Sequence, residues 1–302
     1  HICIWMDTMD KRDKRKKRVL QLGIFLLLGT ILCLKYRNFF FGNVSKLAML
    51  LHIDWSYRDQ LIFLPIGISF YTLSAIGYMT DVYWGKVKAE YSLVKTALFL
   101  GFFPVIVEGP ICRWEDVEDT LFKNESVKAE NVFKGCYRII WGLFKKMIIA
   151  DRLAVLVDKV YVGYESYSGA VIVAAAISYT IQLYMEFSGC MDMVIGSAGL
   201  FGIRLPENFS QPFFAKTCTD FWKRWHITLG VWFKNYIFYP VSISKTARKW
   251  NKFTRKHFKG DFGKYVARMG IAAMALFPVW ISNGLWHGPK WNYIFYGFYY
   301  FG

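Results

Sequence analysis

Two histidines stand out as residues able to do chemistry. His287 lies between tryptophans in Ile281-Ser-Asn-Gly-Leu-Trp-His-Gly-Pro-Lys-Trp291, and His226 ends the basic-aromatic run Asp220-Phe-Trp-Lys-Arg-Trp-His226. The surroundings of His287 are apolar enough to lie within a bilayer, where an ionisable side chain is costly unless it lines a cavity or has a partner. Imidazole is the side chain whose unperturbed pKa lets it both take and give a proton near neutral pH. A neutral, water-shielded His287 would serve as general base toward a hydroxyl attacking a thioester carbonyl. That role is worth roughly 10²–10⁴-fold in rate and needs no protein nucleophile. Asn283 and Trp286 would orient the ring or donate to a developing oxyanion, with capping or packing as the alternative. For either histidine the structural alternative is a core imidazole bonded to a backbone carbonyl.

The elements that must position these residues follow from composition and periodicity. The 302 residues are 55% hydrophobic and 19% aromatic, more apolar surface than one water-soluble core requires. Apolar runs at about 19–34, 61–83, 92–112, 167–203 and 265–302 approach or exceed the roughly 20 residues that cross a hydrocarbon core of about 30 Å. The fold class expected is therefore an all-α, polytopic transmembrane helical bundle. Residues 132–162 and 219–243 are shorter and interrupted by charge, so they read as tilted, re-entrant or interfacial. Pro104 and the Gly109-Pro110 pair predict irregular backbone, which is tolerated at depth only where protein or water satisfies it. The polar connections are residues 42–60, 84–91, 113–131, 204–218 and 244–264. With no internal repeat or linker, 1–302 reads as a single membrane domain. Its opening on His1 and its end inside an aromatic run suggest an internal piece lacking helices at both ends.

Residues 219–236 read as one helix capped by Thr219 or Asp220. Phe221, Trp225, Trp232 and Tyr236 then share a side, with Lys223, Arg224 and Lys234 beside them. Cations next to aromatic faces suit an anionic ligand, such as a phosphate or a thioester carrier. An interfacial aromatic belt with snorkelling bases accounts for the same pattern. Glu186 and Asp192 sit in an otherwise apolar span and call for partners, with Arg204, Lys223 or Arg224 as candidates and a structural ion pair favoured over catalysis. Gly189, Gly196, Ser197 and Gly199 would permit close helix packing there. Residues 141–153 read as a boundary helix whose Lys145 and Lys146 snorkel toward headgroups. The acid-rich 113–131 reads as a surface helix with solvated charges.

The formal net charge is +16, and residues 11–18 with 245–264 supply 13 of it. Both stretches are assigned to the cytoplasmic side by the positive-inside rule. Because they flank apolar spans, attraction to anionic lipid explains them more simply than nucleic-acid binding. The six cysteines are scattered, with neither a disulfide framework nor metal-ligand spacing, so no metal site and no bound cofactor are expected. The first basic cluster lacks a small-residue cleavage site after its apolar run, unlike a signal peptide.

Several ordered stretches resemble the membrane-bound O-acyltransferase family. They are Phe102-Phe-Pro-Val-Ile-Val-Glu-Gly-Pro-Ile111, Gly142-Leu-Phe-Lys-Lys-Met-Ile-Ile-Ala-Asp-Arg-Leu153, Glu186-Phe-Ser-Gly-Cys-Met-Asp-Met-Val-Ile-Gly196, Leu205-Pro-Glu-Asn-Phe209, the His226 stretch and Leu285-Trp-His-Gly288. The chain is most similar to the bacterial alginate O-acetylation branch, and more distantly to the teichoic-acid D-alanyl transfer protein. The resemblance implies a ring of tilted helices around a thin core, with funnels from both sides meeting near the active histidine. It makes His287 the catalytic residue and His226 its companion. It further implies acyl transfer, most simply acetyl, from a cytoplasmic thioester donor, acetyl-CoA or a carrier protein, toward an exported polysaccharide. An extracytoplasmic acyltransferase partner and a bacterial plasma-membrane location belong to the same picture. Lys234-Asn-Tyr236 and Pro240-Val-Ser-Ile-Ser244 depart from the alginate-type pattern, as do Glu186 and Cys190, so the acceptor glycan stays open. Three other functions remain at this point: D-alanyl transfer to teichoic acid, a transporter or flippase relaying protons through its histidines, and a non-catalytic assembly subunit. Paired inverted repeats would mark a transporter, and the sequence shows none.

Overall fold

The computed structural model describes residues 1–10, 13–123 and 127–302. Lys11 and Arg12 of the first basic run, and residues 124–126 of the acid-rich connection, lie outside the described residues. Among those described the protein is helical, and its β pairing is one isolated bridge between Phe209 and Trp225. Among the described residues three helices are long and apolar enough to cross a membrane: Lys14–Leu50, Gly169–Leu200 and Gly260–His287. Phe25, Leu26 and Leu32 on the first, and Val173, Ile177 and Ile181 on the second, are exposed. Among the described residues nothing covers them, and lipid is the solvent that suits them. This is an all-α membrane protein. The chain packs as two compact units, residues 90–229 and residues 1–89 with 230–302.

In the 90–229 unit, Gly169–Leu200 runs antiparallel to Ala129–Leu143, which continues through a π-helical turn, Phe144–Ala150, into Asp151–Val162. Glycine sets the spacing. A Cβ on Gly142 would lie 2.5 Å from the Gly189 carbonyl oxygen, and one on Gly189 would lie 2.8 Å from that of Gly142. Gly135 and Gly196 repeat this reciprocal contact two turns away, at 2.7 and 2.8 Å. Backbone thus meets backbone with no side chain between, the arrangement that small residues permit in membranes. Gly189 and Gly196 do what their spacing predicts. Gly199 takes little part, since its Cβ would reach Gly135 only at 4.0 Å, and Ser197 bonds back to the Met193 carbonyl at 2.7 Å.

That close approach corrects the expected charge partners. Asp192 accepts from Arg138 Nε at 3.1 Å and from Lys145 Nζ at 2.7 Å, while Glu186 pairs with Lys146 at 2.7 Å. Neither acid uses Arg204, Lys223 or Arg224. Lys145 and Lys146 do not snorkel to headgroups either, and Lys146 also holds Asp151 at 2.7 Å. The antiparallel register places both lysines against the acids of the neighbouring helix, and a short path to a carboxylate wins over a long one to water. The Lys145–Asp192 pair is costly to break, because both side chains are largely buried and removing one strands the other at about 3–5 kcal/mol.

The 92–112 run is interrupted, as its prolines predict: Leu93–Gly101 and Phe103–Ile106 are short helices, and residues 107–113 are not helical. Protein satisfies this backbone, with Ile111 N–H donating to Thr228 Oγ1 at 3.0 Å. In 113–131 the Trp114–Leu121 helix is closed by Arg113 and Asp116 as a reciprocal cap. Its acids Glu115, Glu118 and Asp119 are exposed, as a surface helix requires, and two of them also have partners, Arg113 holding Glu115 and the buried Trp114 indole donating to Glu118.

In the other unit, the 61–83 run begins its helix only at Ile68, after Gly67 at φ 75°, and ends at Trp84. Trp232 Nε1 donates to the Leu73 carbonyl at 2.8 Å, and the Tyr236 hydroxyl donates to Asp81. The 265–302 run is two helices, Gly260–His287 and Trp291–Phe301. Pro289 has no N–H to continue the first, so the chain turns immediately after His287. The same glycine device packs the two arms. A Cβ on Gly284 would lie 2.2 Å from the Tyr293 carbonyl oxygen, and one on Gly297 would lie 2.6 Å from that of Trp280. Between these elements, Lys245–His257 buries Ala247 and Thr254 and exposes Arg248, Lys249, Lys252, Arg255 and Lys256.

Gly142→Val is expected to destabilise the protein by about 2 kcal/mol, because the clashing atom is backbone and has nowhere to move. Gly29→Ala, with nothing within 4 Å, serves as the tolerated control. Thermal unfolding in detergent tests this, and equal midpoints for both variants would refute the glycine-contact account.

Candidate functional site

His287 is the last residue of the Gly260–His287 helix, exposed at its C-terminal end. The turn at Gly288 and the folded-back second helix surround it with aromatic rings. Tyr293 stacks on the imidazole at 5.9 Å between centroids, while Tyr296 and Trp286 meet it edge-on at 5.7 and 5.1 Å. One helical turn back, Asn283 is buried on the same face of the helix. Its amide oxygen is buried with no hydrogen-bond partner among the described residues. A buried acceptor left in this state costs about 1–3 kcal/mol, unless an incoming O–H or N–H supplies the missing bond. Trp286, Tyr293 and Tyr296 give apolar walls, His287 a proton acceptor and Asn283 a fixed polar contact.

His226 occupies a different setting, in the 90–229 unit. The continuous 219–236 helix expected from sequence does not form. Cys218–Arg224 is a short helix capped by Thr217, whose hydroxyl accepts from Asp220 N–H at 3.1 Å. Trp225 is extended, and a new helix starts at Ile227. His226 itself has φ 45°, a left-handed conformation that costs a non-glycine residue about 1–2 kcal/mol. The break therefore removes the shared side proposed for Phe221, Trp225, Trp232 and Tyr236.

What offsets the strain is Asn208, a fully buried residue of the Leu205-Pro-Glu-Asn-Phe209 stretch. Its backbone carbonyl accepts from Ile227 N–H at 2.9 Å, and Ser210 N–H donates to the Arg224 carbonyl at 3.0 Å. Its side-chain oxygen accepts from Thr228 N–H at 3.1 Å and Thr228 Oγ1 at 2.9 Å, and lies 3.1 Å from His226 Nδ1. The Thr228 amide is an unambiguous donor, so that Asn208 atom is the oxygen and His226 Nδ1 must carry the hydrogen. Nε2 is then the basic nitrogen of a ring seated edge-on against Phe187 at 4.8 Å. Among the described residues no group of His, Cys, Asp and Glu has the arrangement of a metal site.

The remaining candidates divide between the units. Trp225 is enclosed by Phe221, stacked at 5.7 Å, and by Tyr184, Phe209 and Phe213. Arg224 bonds Asp220 at 3.0 Å, and this contact holds the Asp220 carboxyl below the usual carboxylate range. Arg224 is thus partly neutralised, whereas Lys223 is exposed. Asn283 and Trp286 accompany His287. Sequence reasoning singled out neither Asn208 nor the Tyr293–Tyr296 pair as site residues. Asn208 had a signal, a polar residue inside a matched motif. The tyrosines had none, because only the helical hairpin brings them to His287.

A family model described as the membrane-bound O-acyltransferase family matches residues 86–256, a stretch that contains His226. The chain belongs to the membrane-bound O-acyltransferase family. Its similarity to characterised members is extensive. It is 34% identical over 286 residues to a probable alginate O-acetylase of Pseudomonas putida, covering 95% of this chain and 54% of that protein. It is 30% identical over 314 residues to a peptidoglycan O-acetyltransferase of Helicobacter pylori, covering 93% and 54%. A teichoic acid D-alanyltransferase of Bacillus subtilis is 29% identical over 240 residues, covering 78% and 56%. The chain spans about half the length of these relatives.

Asn208→Ala removes the acceptor of three buried donors and is expected to cost about 2–4 kcal/mol. Unfolding of the detergent-purified variant measures this, and an unchanged midpoint would show that Asn208 does not hold the His226 turn.

Proposed function

We propose that the protein is an O-acyltransferase that moves an acyl group, most simply acetyl, from a cytoplasmic thioester donor across the membrane for O-acetylation of a cell-surface or exported polysaccharide. The observation that carries this reading is His287 at the exposed end of an apolar membrane helix, walled by aromatic rings, with the unsatisfied Asn283 oxygen one turn behind. The acceptor hydroxyl oxygen attacks the thioester carbonyl carbon as His287 takes its proton. The carbon–sulfur bond breaks, and His287 returns the proton to the departing thiolate. The aromatic walls orient a substrate at the imidazole, and the Asn283 oxygen fixes a hydroxyl or amide of it. His226, with its Nδ1 hydrogen committed to Asn208, assists through Nε2, and Lys223, Arg224 and Trp225 receive the anionic or apolar parts of the donor.

Acetyl-CoA or a carrier-protein thioester fits as donor, and no bound cofactor is required. In this reading the protein is a multi-pass component of a bacterial plasma membrane. The basic Lys245–His257 helix faces anionic lipid on the cytoplasmic side, and an extracytoplasmic acyltransferase partner completes delivery. D-alanyl transfer is the second reading, favoured by the similarity to the Bacillus subtilis protein.

Membranes containing the full chain, given labelled acetyl-CoA, acetyl-loaded carrier or D-alanyl-loaded carrier, separate these readings. His287→Ala is expected to lower transfer roughly 10²–10⁴-fold, whereas the surface variant Lys256→Ala leaves it unchanged. Undiminished transfer in His287→Ala would eliminate the mechanism, and label passed only from the D-alanyl carrier would replace acetyl with D-alanine.

A further inference from the structure

Lys35 lies near the middle of the apolar Lys14–Leu50 helix, where a basic side chain is expensive and a partner is required. It sits in a π-helical turn, Leu32–Tyr36, a local widening that recurs at functional positions in helices. Its Nζ donates to the Trp286 carbonyl oxygen at 2.7 Å and to Ser69 Oγ at 3.2 Å. The first of these is informative about His287. The carbonyl belongs to the peptide bond that joins Trp286 to His287, in the last turn of the Gly260–His287 helix. Carbonyls in a last turn have no intrahelical donor and form the negative end of the helix dipole. Many helices satisfy them with a glycine-based backbone cap, but Gly288 here is extended, at φ 168° and ψ 168°, outside the left-handed conformation such caps use. A lysine from a helix distant in sequence supplies the donor instead.

The second bond extends the restraint. Ser69 is in the first turn of the Ile68–Trp84 helix, and its neighbour Phe70 packs edge-on against Trp286 at 5.4 Å. One amino group therefore fixes the end of one helix to the start of another, directly beside the imidazole. We propose that Lys35 is a positioning residue that locks the Trp286–His287 peptide, and with it the His287 ring, in the orientation required for acyl transfer. This rests on the role given to His287 above.

The test uses the full chain in membranes, with Lys35→Met, Lys35→Arg and the wild type compared in two ways. In acyl transfer, Lys35→Met is expected to lower kcat by ~10- to 100-fold with the donor KM little changed, as befits a misplaced group. Lys35→Arg, which keeps a donor of similar reach, is expected to recover most of that loss. Independently of activity, diethyl pyrocarbonate modification of His287, followed by mass spectrometry, is expected to quicken about threefold or more in Lys35→Met as the helix end frays, with exposed His257 as the internal control. Modification of His287 at the wild-type rate in Lys35→Met would overturn the proposal, as would an unchanged kcat, a rise confined to KM, or an arginine variant no better than methionine. If His287→Ala retains transfer, the catalytic reading falls, while the modification rate still decides whether Lys35 holds this helix end.

Discussion

A polar group in a hydrocarbon environment survives only with a partner held at bonding distance, and this requirement organises the protein. Asp192 is shared by Arg138 and Lys145, Glu186 is held by Lys146, and Arg138 reaches on to Glu207 at 2.6 and 2.7 Å. The pairs made by Asp192 and Glu186 join residues 129–150 to the Gly169–Leu200 helix. The reciprocal glycine contacts, Gly142 with Gly189 and Gly135 with Gly196, bring the same two backbones close together, and the charges lie within reach of one another. Packing by absence of side chain and pairing of charge are thus one device.

The same requirement explains why the two histidines are held so differently. His226 is buried, strained and pinned, its tautomer fixed by an asparagine that serves three donors at once. A ring so restrained keeps one nitrogen chemically defined, and the strained backbone is retained because the surroundings over-determine it. His287 instead stands at a helix terminus, where a proline ends the helix and the following helix folds back against Gly284. Its neighbours are aromatic rings, and the imidazole stays exposed beside them. One histidine is positioned by hydrogen bonds and the other by the end of a helix, and a helix end needs something to hold it.

The chain belongs to an acyltransferase family, and its two histidines lie in different compact units. The family model covers the His226 region, whereas His287 lies beyond its matched residues.

Much of this was legible in the residues themselves. Apolar run lengths gave the helical membrane class, prolines gave the broken 92–112 run, and the glycines of 189–196 gave the close packing. An ionisable group in an apolar run marked His287 as a candidate and a basic-aromatic run marked His226, because hydropathy and charge are local properties written along the chain. Partner choice was not local. Sequence offered Arg204, Lys223 and Arg224 for the buried acids, and the antiparallel register selected Arg138, Lys145 and Lys146. Sequence read 219–236 as one helix, since each residue in it tolerates helix. The bonds that break it at His226 come from Asn208, and helical periodicity within 219–236 carries no trace of them. Lys35 was likewise only a basic residue just beyond a hydrophobic run until the fold set it against the Trp286 carbonyl. Composition and period decide which groups need partners, and only the folded chain, by choosing which backbones touch, decides who those partners are.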